Sequence, residues 1–332
     1  MPKGIINLGN TCFLNACLQV LLQTTEITSL PEIAQKQDII ENTVYQSWIA
    51  WKKIMLNDSD PSPNAPHAFI QCIHQAALKK DRPLFTGFAQ NDMPEFLLFF
   101  TDCIHACFQR GVPVFIQGDA QNEIDNIAIK CFKMIESIYK DDYSEIRQLF
   151  YGIYVSNLVS LDEQTLLASN PEPFFLLNLP VHGSNLESCL QKYIAPEVLD
   201  HENAWLNENT QEKQSVYKQI VFWSFPKILV ICLQRFLIEG NRISKKMDLI
   251  DFPLEDLDLS KYVLGYKASS YKYELYGICN HVGDVMGGHY TAFVKNGSGQ
   301  WFHYNDHMVE LVNNPALMVT PMAYCLFYRM KS

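Results

Sequence analysis

Apolar side chains follow different spacings in the two halves of the chain, and this segregation constrains the fold more than any other feature. In the first half they recur every three to four residues, as in residues 13–22 and 94–108, which predicts helices. From residue 225 onward, apolar runs bounded by turn residues predict strands over residues 228–236, 271–279, 289–294, 300–304 and 323–330. Helices followed by strands, rather than alternating with them, favour an α+β architecture.

The composition is that of a globular protein. The 332 residues are 48% apolar and 19% charged, which excludes a disordered or fibrous chain. This length is roughly two domains' worth of material and can bury a core without disulfides. The sequence contains no run of about 18 apolar residues, which is the length that a transmembrane helix needs. Its start lacks the apolar stretch of a signal peptide. We therefore expect neither a membrane partner nor secretion.

The net charge and the cysteine pattern limit which partners and which cellular compartment we expect. The net charge is −10 and no Lys- or Arg-rich run occurs, so we expect a basic partner and no nucleic acid. The ten cysteines are scattered without a Cys-x-x-Cys pair, which is typical of free thiols in a reducing compartment. The expected location is the cytoplasm, with the nucleus as an alternative.

One cysteine differs from the others in its surroundings. Cys12 follows a Gly-Asn-Thr turn and opens the first predicted helix. The unpaired N–H groups and the positive end of the dipole at a helix start favour the thiolate over the thiol. Asn7 lies upstream of the same turn and can bring to it a neutral side-chain donor, as an oxyanion requires. The alternative is a capped helix with a buried cysteine.

A histidine is predicted to face an asparagine across a hairpin. Residues 287–294 and 300–304 read as two strands joined by a turn at 296–299. If the hairpin is centred on Gly297, His289 and Asn305 are directly opposite, with Cβ atoms about 5 Å apart. A hydrogen bond from the imidazole to the amide oxygen then fixes the ring tautomer, while strand alternation points Asp306 to the other face. The alternative is a structural hairpin histidine.

Segments spread along the chain resemble, in order, the motifs of the ubiquitin-specific protease family. Residues 7–15 (NLGNTCFLN) resemble its cysteine box, and residues 288–292 (GHYTA) with 301–306 (WFHYND) resemble its histidine box. Further matches lie at residues 90–96 (QNDMPEF), 225–229 (FPKIL), 233–236 (LQRF) and 324–328 (YCLFY). The resemblance covers nearly the whole chain.

The resemblance implies a single papain-like catalytic domain of the α+β class over residues 1–332. Its helical thumb would take about residues 1–150, and its β-rich palm and fingers residues 151–332. The implied activity is that of a cysteine-type deubiquitinase. Such an enzyme hydrolyses the isopeptide or peptide bond after the C-terminal glycine of ubiquitin, needs no cofactor, and has ubiquitin and ubiquitinated proteins as partners. The alternatives are a protease for another ubiquitin-like modifier or for ordinary peptides, and an inactive ubiquitin-binding module.

The resemblance also implies roles for individual residues. Carried over by position, the catalytic set is Cys12 as nucleophile, His289 as base and Asn305 as third member of the triad. Asn7 falls in the oxyanion hole, and Asp306 is a neighbouring acidic residue that assists. The implied substrate contacts are Gln90, Asp92, Glu95, Gly288 and Tyr290. The acidic pair Asp92 and Glu95 has a structural alternative, because the Asp-x-x-Glu spacing before a helix is also that of a capping box.

The family's zinc site is not matched in this sequence. Many members carry two Cys-x-x-Cys pairs in the fingers, whereas the corresponding positions here are Ser160, Glu163, Asn207 and Thr210. A structural zinc needs four sulfur or imidazole ligands. We therefore expect no bound metal.

Overall fold

Helices predominate up to residue 150 and strands from residue 152 onward, in the residues that the computed structural model describes (2–57, 60–87, 89–162, 165–207, 210–240, 242–284 and 287–331). The α-helices are α1 (Cys12–Leu22), α2 (Thr25–Thr28), α3 (Ile40–Met55), α4 (His67–Lys79), α5 (Met93–Phe108), α6 (Glu123–Tyr139), α7 (Glu145–Phe150) and α8 (Leu186–Ile194). The strands are β1 (Gly152–Ser160), β2 (Leu166–Phe174), β3 (Leu176–Pro180), β4 (Glu197–Leu199), β5 (Trp205–Asn207), β6 (Glu212–Gln214), β7 (Val216–Ser224), β8 (Ile228–Gln234), β9 (Phe236–Glu239), β10 (Arg242–Lys245), β11 (Leu257–Asp258), β12 (Lys272–Gly283), β13 (Gly288–Lys295), β14 (Trp301–Asn305), β15 (Met308–Leu311) and β16 (Ala323–Met330).

The predicted elements lie close to the observed ones, and the α+β class is confirmed. The first predicted helix is α1, the second is α5, and the five predicted strands are β8, β12, β13, β14 and β16. β12 extends four residues beyond the predicted end, to Gly283. Tertiary pairing decides that extension, because β12 continues as long as β13 lies beside it, up to the pair formed by Gly283 and Gly288.

A large sheet forms the centre of the second half. Its strand order is β15-β14-β13-β12-β16-β8-β3, and β11 also pairs with β12. The neighbours in this order run antiparallel except β3 and β8, which are parallel. A second sheet has the order β2-β1-β7-β4, and β5 with β6 and β9 with β10 form separate hairpins.

The central sheet is covered on both faces, which explains the unbroken apolar run of β8. Val230 and Cys232 pack into a core shared with α1, α3 and α5. Leu229, Ile231 and Leu233 pack into a second core with α8 on the opposite face. Successive strand residues point to opposite faces, so a strand between two cores is apolar at nearly every position.

Helix α1 lies inside the first core, because each of its residues from Cys12 to Leu22 is buried. It contacts β13, α5 and β14. The start of this helix is thereby placed beside the strand that carries His289. Among the described residues, none of the helices has the length and apolar character needed to cross a bilayer.

Candidate active site

Cys12 is the first residue of α1, as the sequence predicts. The preceding turn is held by the side chain of Asn7, whose Oδ1 accepts hydrogen bonds from the backbone N–H of Gly9 (2.9 Å) and of Thr11 (3.2 Å). Gly9 and Asn10 both have positive φ (103° and 55°), and this tight conformation is one that glycine and asparagine tolerate best. The turn delivers Cys12 to the helix start with only 4% of its surface exposed.

Burial is the largest influence on the Cys12 thiol. It raises the pKa, and the carboxylate of Asp306 also raises it. The backbone N–H groups of Tyr290, Phe13 and Cys12 itself act against burial and lower the pKa. The N–H groups at the helix start favour the thiolate, as expected, but burial outweighs them and the net direction of the pKa is upward. A neighbouring base is needed to take the proton.

The predicted contact between His289 and Asn305 is present, although the predicted hairpin register is wrong. His289 Nε2 donates to Asn305 Oδ1 over 2.7 Å, and the amide oxygen assigns the hydrogen to that nitrogen. The ladder pairs Lys295 with Trp301 and Ala292 with Tyr304. The hairpin is therefore centred one residue after Gly297, because its turn is closed by a hydrogen bond from Asn296 N–H to Gln300 O.

A shift of the centre by one residue moves every cross-strand pair by two positions. An even shift keeps side chains on the same face, so His289 and Asn305 still meet, diagonally rather than directly opposite. Their contact lies beyond the end of the ladder, since the pairing of β13 with β14 stops at Ala292 and Tyr304. The predicted contact survives the register error for this reason.

Asp306 lies on the same side as His289, which contradicts the expectation from strand alternation. Strand β14 ends at Asn305, and Asp306 adopts a left-handed conformation (φ 52°) in the turn to β15. This turn brings Asp306 Oδ2 to 4.0 Å from His289 Nε2. The same carboxylate accepts hydrogen bonds from Asn7 Nδ2 (3.0 Å) and Asn15 Nδ2 (2.8 Å). Asp306 therefore links the histidine, the turn before Cys12 and helix α1.

Asn7 is tied to the site by both ends of its amide. Its oxygen holds the turn before Cys12, and its nitrogen donates to Asp306. An amide nitrogen carries two hydrogens, and one partner for it is present among the described residues. The second hydrogen is the one that could serve an oxyanion.

Asp92 does not form the predicted capping box. It precedes α5, but its side chain makes no capping hydrogen bond to that helix. Instead its carboxylate accepts hydrogen bonds from the hydroxyl groups of Tyr290 (2.9 Å) and Tyr324 (3.1 Å). Burial raises the pKa of Asp92, and the two tyrosine hydroxyls lower it, without reversing the upward direction. The capping-box alternative is therefore wrong, because the carboxylate instead accepts hydrogen bonds from the hydroxyl groups of tyrosines in β13 and β16.

Gln90 holds the start of β13. Its Oε1 accepts from Gly288 N–H (2.9 Å), and its Nε2 donates to Gly288 O (3.1 Å). This two-point contact fixes the backbone directly before His289. A cavity of about 560 Å³ lies beside it and is lined by Cys12 together with all five residues predicted to contact substrate.

The positions corresponding to the family's zinc ligands form no such site in the part of the chain described. Ser160 ends β1, Asn207 ends β5 and Thr210 lies in the following turn. Glu163 lies outside the described residues. Within those residues, no group of three or more His, Cys, Asp or Glu side chains is arranged to hold a metal ion.

Two supporting residues escaped the sequence reasoning. Asn15 is buried in α1 (2% exposed) and binds Asp306. Tyr324 at the start of β16 binds Asp92. The signal for Asn15 was present in the sequence, because an asparagine in an otherwise apolar buried helix needs a hydrogen-bond partner. Tyr324 lies in the segment 324–328 that matches the family, but a strand motif does not indicate a partner for its hydroxyl group.

Comparison with known proteins assigns the family. The sequence model described as "Ubiquitin carboxyl-terminal hydrolase" matches residues 3–328. This chain therefore belongs to the ubiquitin carboxyl-terminal hydrolase family. It is similar to Ubiquitin carboxyl-terminal hydrolase Usp2 of Drosophila melanogaster, at 30% identity over 98% of this chain and 34% of the fly protein. It is also similar to human Ubiquitin carboxyl-terminal hydrolase 2, at 30% identity over 99% of this chain and 55% of the human protein.

The chain thus spans about a third to about half of the length of these two relatives. Among solved structures it resembles a SAGA Ubp8/Sgf11/Sus1/Sgf73 DUB module bound to ubiquitin aldehyde, with a TM-score of 0.72 at 24% identity. The match covers 99% of this chain and 70% of that one. At this identity the likeness establishes the fold.

Proposed function

We propose that this chain is a cysteine-type deubiquitinase that cleaves the bond after the C-terminal glycine of ubiquitin. The observation that carries the proposal is the meeting of α1 with β13. The backbone N–H of Tyr290 donates to the Cys12 sulfur, and the preceding residue is His289, whose Nε2 is held by Asn305. A cysteine beside a histidine that a third residue orients is the arrangement that nucleophilic acyl transfer requires.

The reaction proceeds through a thioester. His289 takes the proton of the buried Cys12 thiol, and the sulfur attacks the carbonyl carbon of the terminal glycine. The carbon–nitrogen bond then breaks, and the imidazolium gives its proton to the leaving lysine amine. His289 next removes a proton from water, which attacks the thioester. This second attack releases the glycine carboxylate and returns the thiol.

The surrounding residues assist this chemistry in two ways. The Cys12 backbone N–H and the second amide hydrogen of Asn7 donate to the oxyanion that develops on the carbonyl. Asn305 holds the imidazole tautomer that leaves Nδ1 as the base. Asp306 supports the oxyanion donors and the imidazole, because its carboxylate anchors Asn7 and adds negative charge near the imidazolium.

The cavity beside Cys12 is proposed to take the substrate tail. Asp92 and the exposed Glu95 contribute negative charge to its wall, which complements a basic peptide. Tyr290 carries the hydroxyl that fixes Asp92, and Gln90 fixes the backbone of Gly288. These residues are the proposed contacts for the basic, glycine-ended tail of ubiquitin.

The proposal extends to organisation and location. Residues 1–332 form one catalytic domain, with a helical thumb to about residue 150 and a β-rich palm and fingers from residue 151. The cysteines are all free, as they are in proteins of a reducing compartment. We place the enzyme in the cytoplasm or nucleus, without a metal or other cofactor.

A ubiquitin probe with a C-terminal electrophile tests the activity. The wild-type protein should form a covalent adduct at Cys12 and should release the fluorophore from a ubiquitin C-terminal amide. Cys12→Ala should abolish both while retaining ubiquitin binding. The matched control is Cys17→Ala, because Cys17 is fully buried in the same helix and should be needed for stability rather than chemistry.

The remaining outcomes identify the alternatives. Ubiquitin binding without adduct formation or turnover by the wild-type protein would mean an inactive binding module. Preferential labelling by a probe made from another ubiquitin-like modifier would assign that modifier as the substrate. Loss of labelling in folded Cys17→Ala, with labelling retained in Cys12→Ala, would overturn the choice of nucleophile.

A further inference from the structure

Lys245, the last residue of β10, binds the end of β12. Its Nζ donates to the backbone oxygens of His281 (2.7 Å) and Gly283 (3.0 Å). The same nitrogen lies 2.9 Å from His281 Nδ1. A lysine ammonium has three hydrogens and no acceptor. All three are therefore directed to one short stretch at the end of β12, a few residues before His289 in sequence.

Lys245 supplies hydrogen-bond donors that a neighbouring strand would otherwise provide at the end of β12. The backbone N–H of His281 bonds to Met322 O, on the side of β12 that faces β16. The N–H and the oxygen of one strand residue point to the same side in an antiparallel sheet, and residues two apart share that side. The oxygens of His281 and Gly283 therefore also point there, but β16 begins only at Ala323. The ammonium of Lys245 satisfies the carbonyls that β16 does not reach.

The His281 ring connects Lys245 to the active site, because it contacts both. Burial first, and then the charge of Lys245, lower the pKa of His281 to about 4, so its ring is neutral near pH 7. Nδ1 accepts the hydrogen bond from Lys245, which places the ring hydrogen on Nε2. The ring is 4% exposed and packs so closely on Gly288 that a Cβ there would lie 2.1 Å from Nε2.

The His281 ring also contacts Tyr290, the residue after the catalytic histidine. The ring centroids of His281 and Tyr290 are 4.7 Å apart. Gly288 and Tyr290 are the neighbours of His289 in β13, and His289 itself pairs with Val282. A displacement of the His281 ring is therefore passed to both neighbours of His289.

We propose that Lys245 is a positioning residue that sets the place of His289 relative to Cys12 by fixing the end of β12 and the His281 ring. The inference rests on the proposed function in so far as it takes His289 as the base. Lys245 is not among the residues lining the cavity beside Cys12. His281, Gly288 and Tyr290 do line that cavity, so loss of Lys245 should impair the chemical step most and weaken ubiquitin binding to a smaller extent.

Three variants test the proposal. Lys245→Met removes the ammonium and keeps much of the stem. Lys245→Arg keeps donors for the carbonyls. The matched control is Lys246→Met, because the neighbouring lysine donates to Val181 O (3.1 Å) in a different part of the fold. With a fluorogenic ubiquitin amide, Lys245→Met should lower kcat about ten- to hundredfold, the scale of a small misplacement of catalytic groups. KM should rise by a smaller factor than kcat falls, because Gly288 and Tyr290 also line the cavity. Lys245→Arg should recover part of kcat, and Lys246→Met should retain it.

A second measurement does not depend on ubiquitin. The rate of iodoacetamide alkylation at pH 7, read by mass spectrometry on the peptide that contains Cys12, reports how well His289 activates the thiol. It should fall about tenfold or more in Lys245→Met and remain unchanged in Lys246→Met. If wild-type protein cleaves no ubiquitin substrate but its alkylation depends on Lys245, the proposed function fails while the positioning role stands.

The proposal would be overturned if folded Lys245→Met had the same Cys12 alkylation rate and the same kcat as the wild-type protein. It would also be overturned if Lys246→Met lost as much of both as Lys245→Met. Melting temperatures of all variants establish folding. If Lys245→Met does not fold, Lys245→Gln provides the same test, since its amide cannot supply all three hydrogen bonds. A wild-type alkylation rate in that variant would also overturn the proposal.

Discussion

Replacing Asn305 by alanine should impair catalysis with little effect on stability. The substitution removes the amide oxygen that lies 2.7 Å from His289 Nε2. The His289 side chain is 41% exposed, so water can take the place of the lost acceptor. The free energy of unfolding should therefore fall by about 1 kcal/mol or less. The catalytic loss arises because the ring is no longer held in the tautomer that leaves Nδ1 free.

The size of the loss follows from the state of the ring during the reaction. When the imidazole becomes charged, its hydrogen bond to Asn305 is worth about 1.5 to 3 kcal/mol. That corresponds to about a 10- to 150-fold decrease in kcat/KM. Loss of tautomer control adds to this, so we expect Asn305→Ala at the upper end.

Asp306 provides the comparison. Its carboxylate lies 4.0 Å from His289 Nε2, and a unit charge there is worth about 1 kcal/mol in water and about 4 kcal/mol at an effective dielectric of about 20. The exposure of the imidazole favours the lower half of this range, about 1 to 2.5 kcal/mol, which is about 5- to 70-fold in rate. Asp306→Asn should therefore cost less kcat/KM than Asn305→Ala. It should cost more stability, because Asn7 or the buried Asn15 loses its acceptor.

The assay is kcat/KM for a fluorogenic ubiquitin amide, measured beside thermal unfolding for both variants. The reasoning is refuted if both proteins are folded and Asp306→Asn is the slower one. That result would make Asp306 the residue that orients His289. Equal stability of Asp306→Asn and the wild-type protein would refute its anchoring role.

The remaining predictions concern the substrate groove and metal content. Asp92→Asn should raise KM for ubiquitin substrates about threefold or more and weaken its salt dependence; an unchanged KM across salt concentrations would exclude a role in tail binding. Gln90→Ala removes both hydrogen bonds to Gly288 and should lower the free energy of unfolding by about 0.5 to 1 kcal/mol in urea titrations, since Gln90 is exposed and water can replace part of each bond; an unchanged midpoint contradicts this prediction. A strong chelator should leave melting temperature and activity unchanged, whereas stoichiometric zinc by elemental analysis together with unfolding on chelation would contradict the metal-free expectation.

The sequence by itself determined the features that depend on neighbouring residues. The Gly-Asn-Thr turn placed the start of α1 at Cys12, because positive φ values and helix starts are local choices. The alternation along β13 and β14 put His289 and Asn305 on one face. That face survived a register error of two positions, because strand side chains repeat every second residue.

Tertiary structure decided what depends on distant parts of the chain. Burial of Cys12 against β13 outweighs the local effect of the helix start on its thiol, and burial is a property of the assembled core. The left-handed turn at Asp306, which brings its carboxylate to Asn7 and Asn15, joins residues nearly three hundred positions apart. Lys245 donates to the last carbonyls of β12 only because β16, which begins at Ala323, does not reach them. No local pattern encodes such contacts, because hydrogen-bond partners distant in sequence are chosen by how the strands and helices pack.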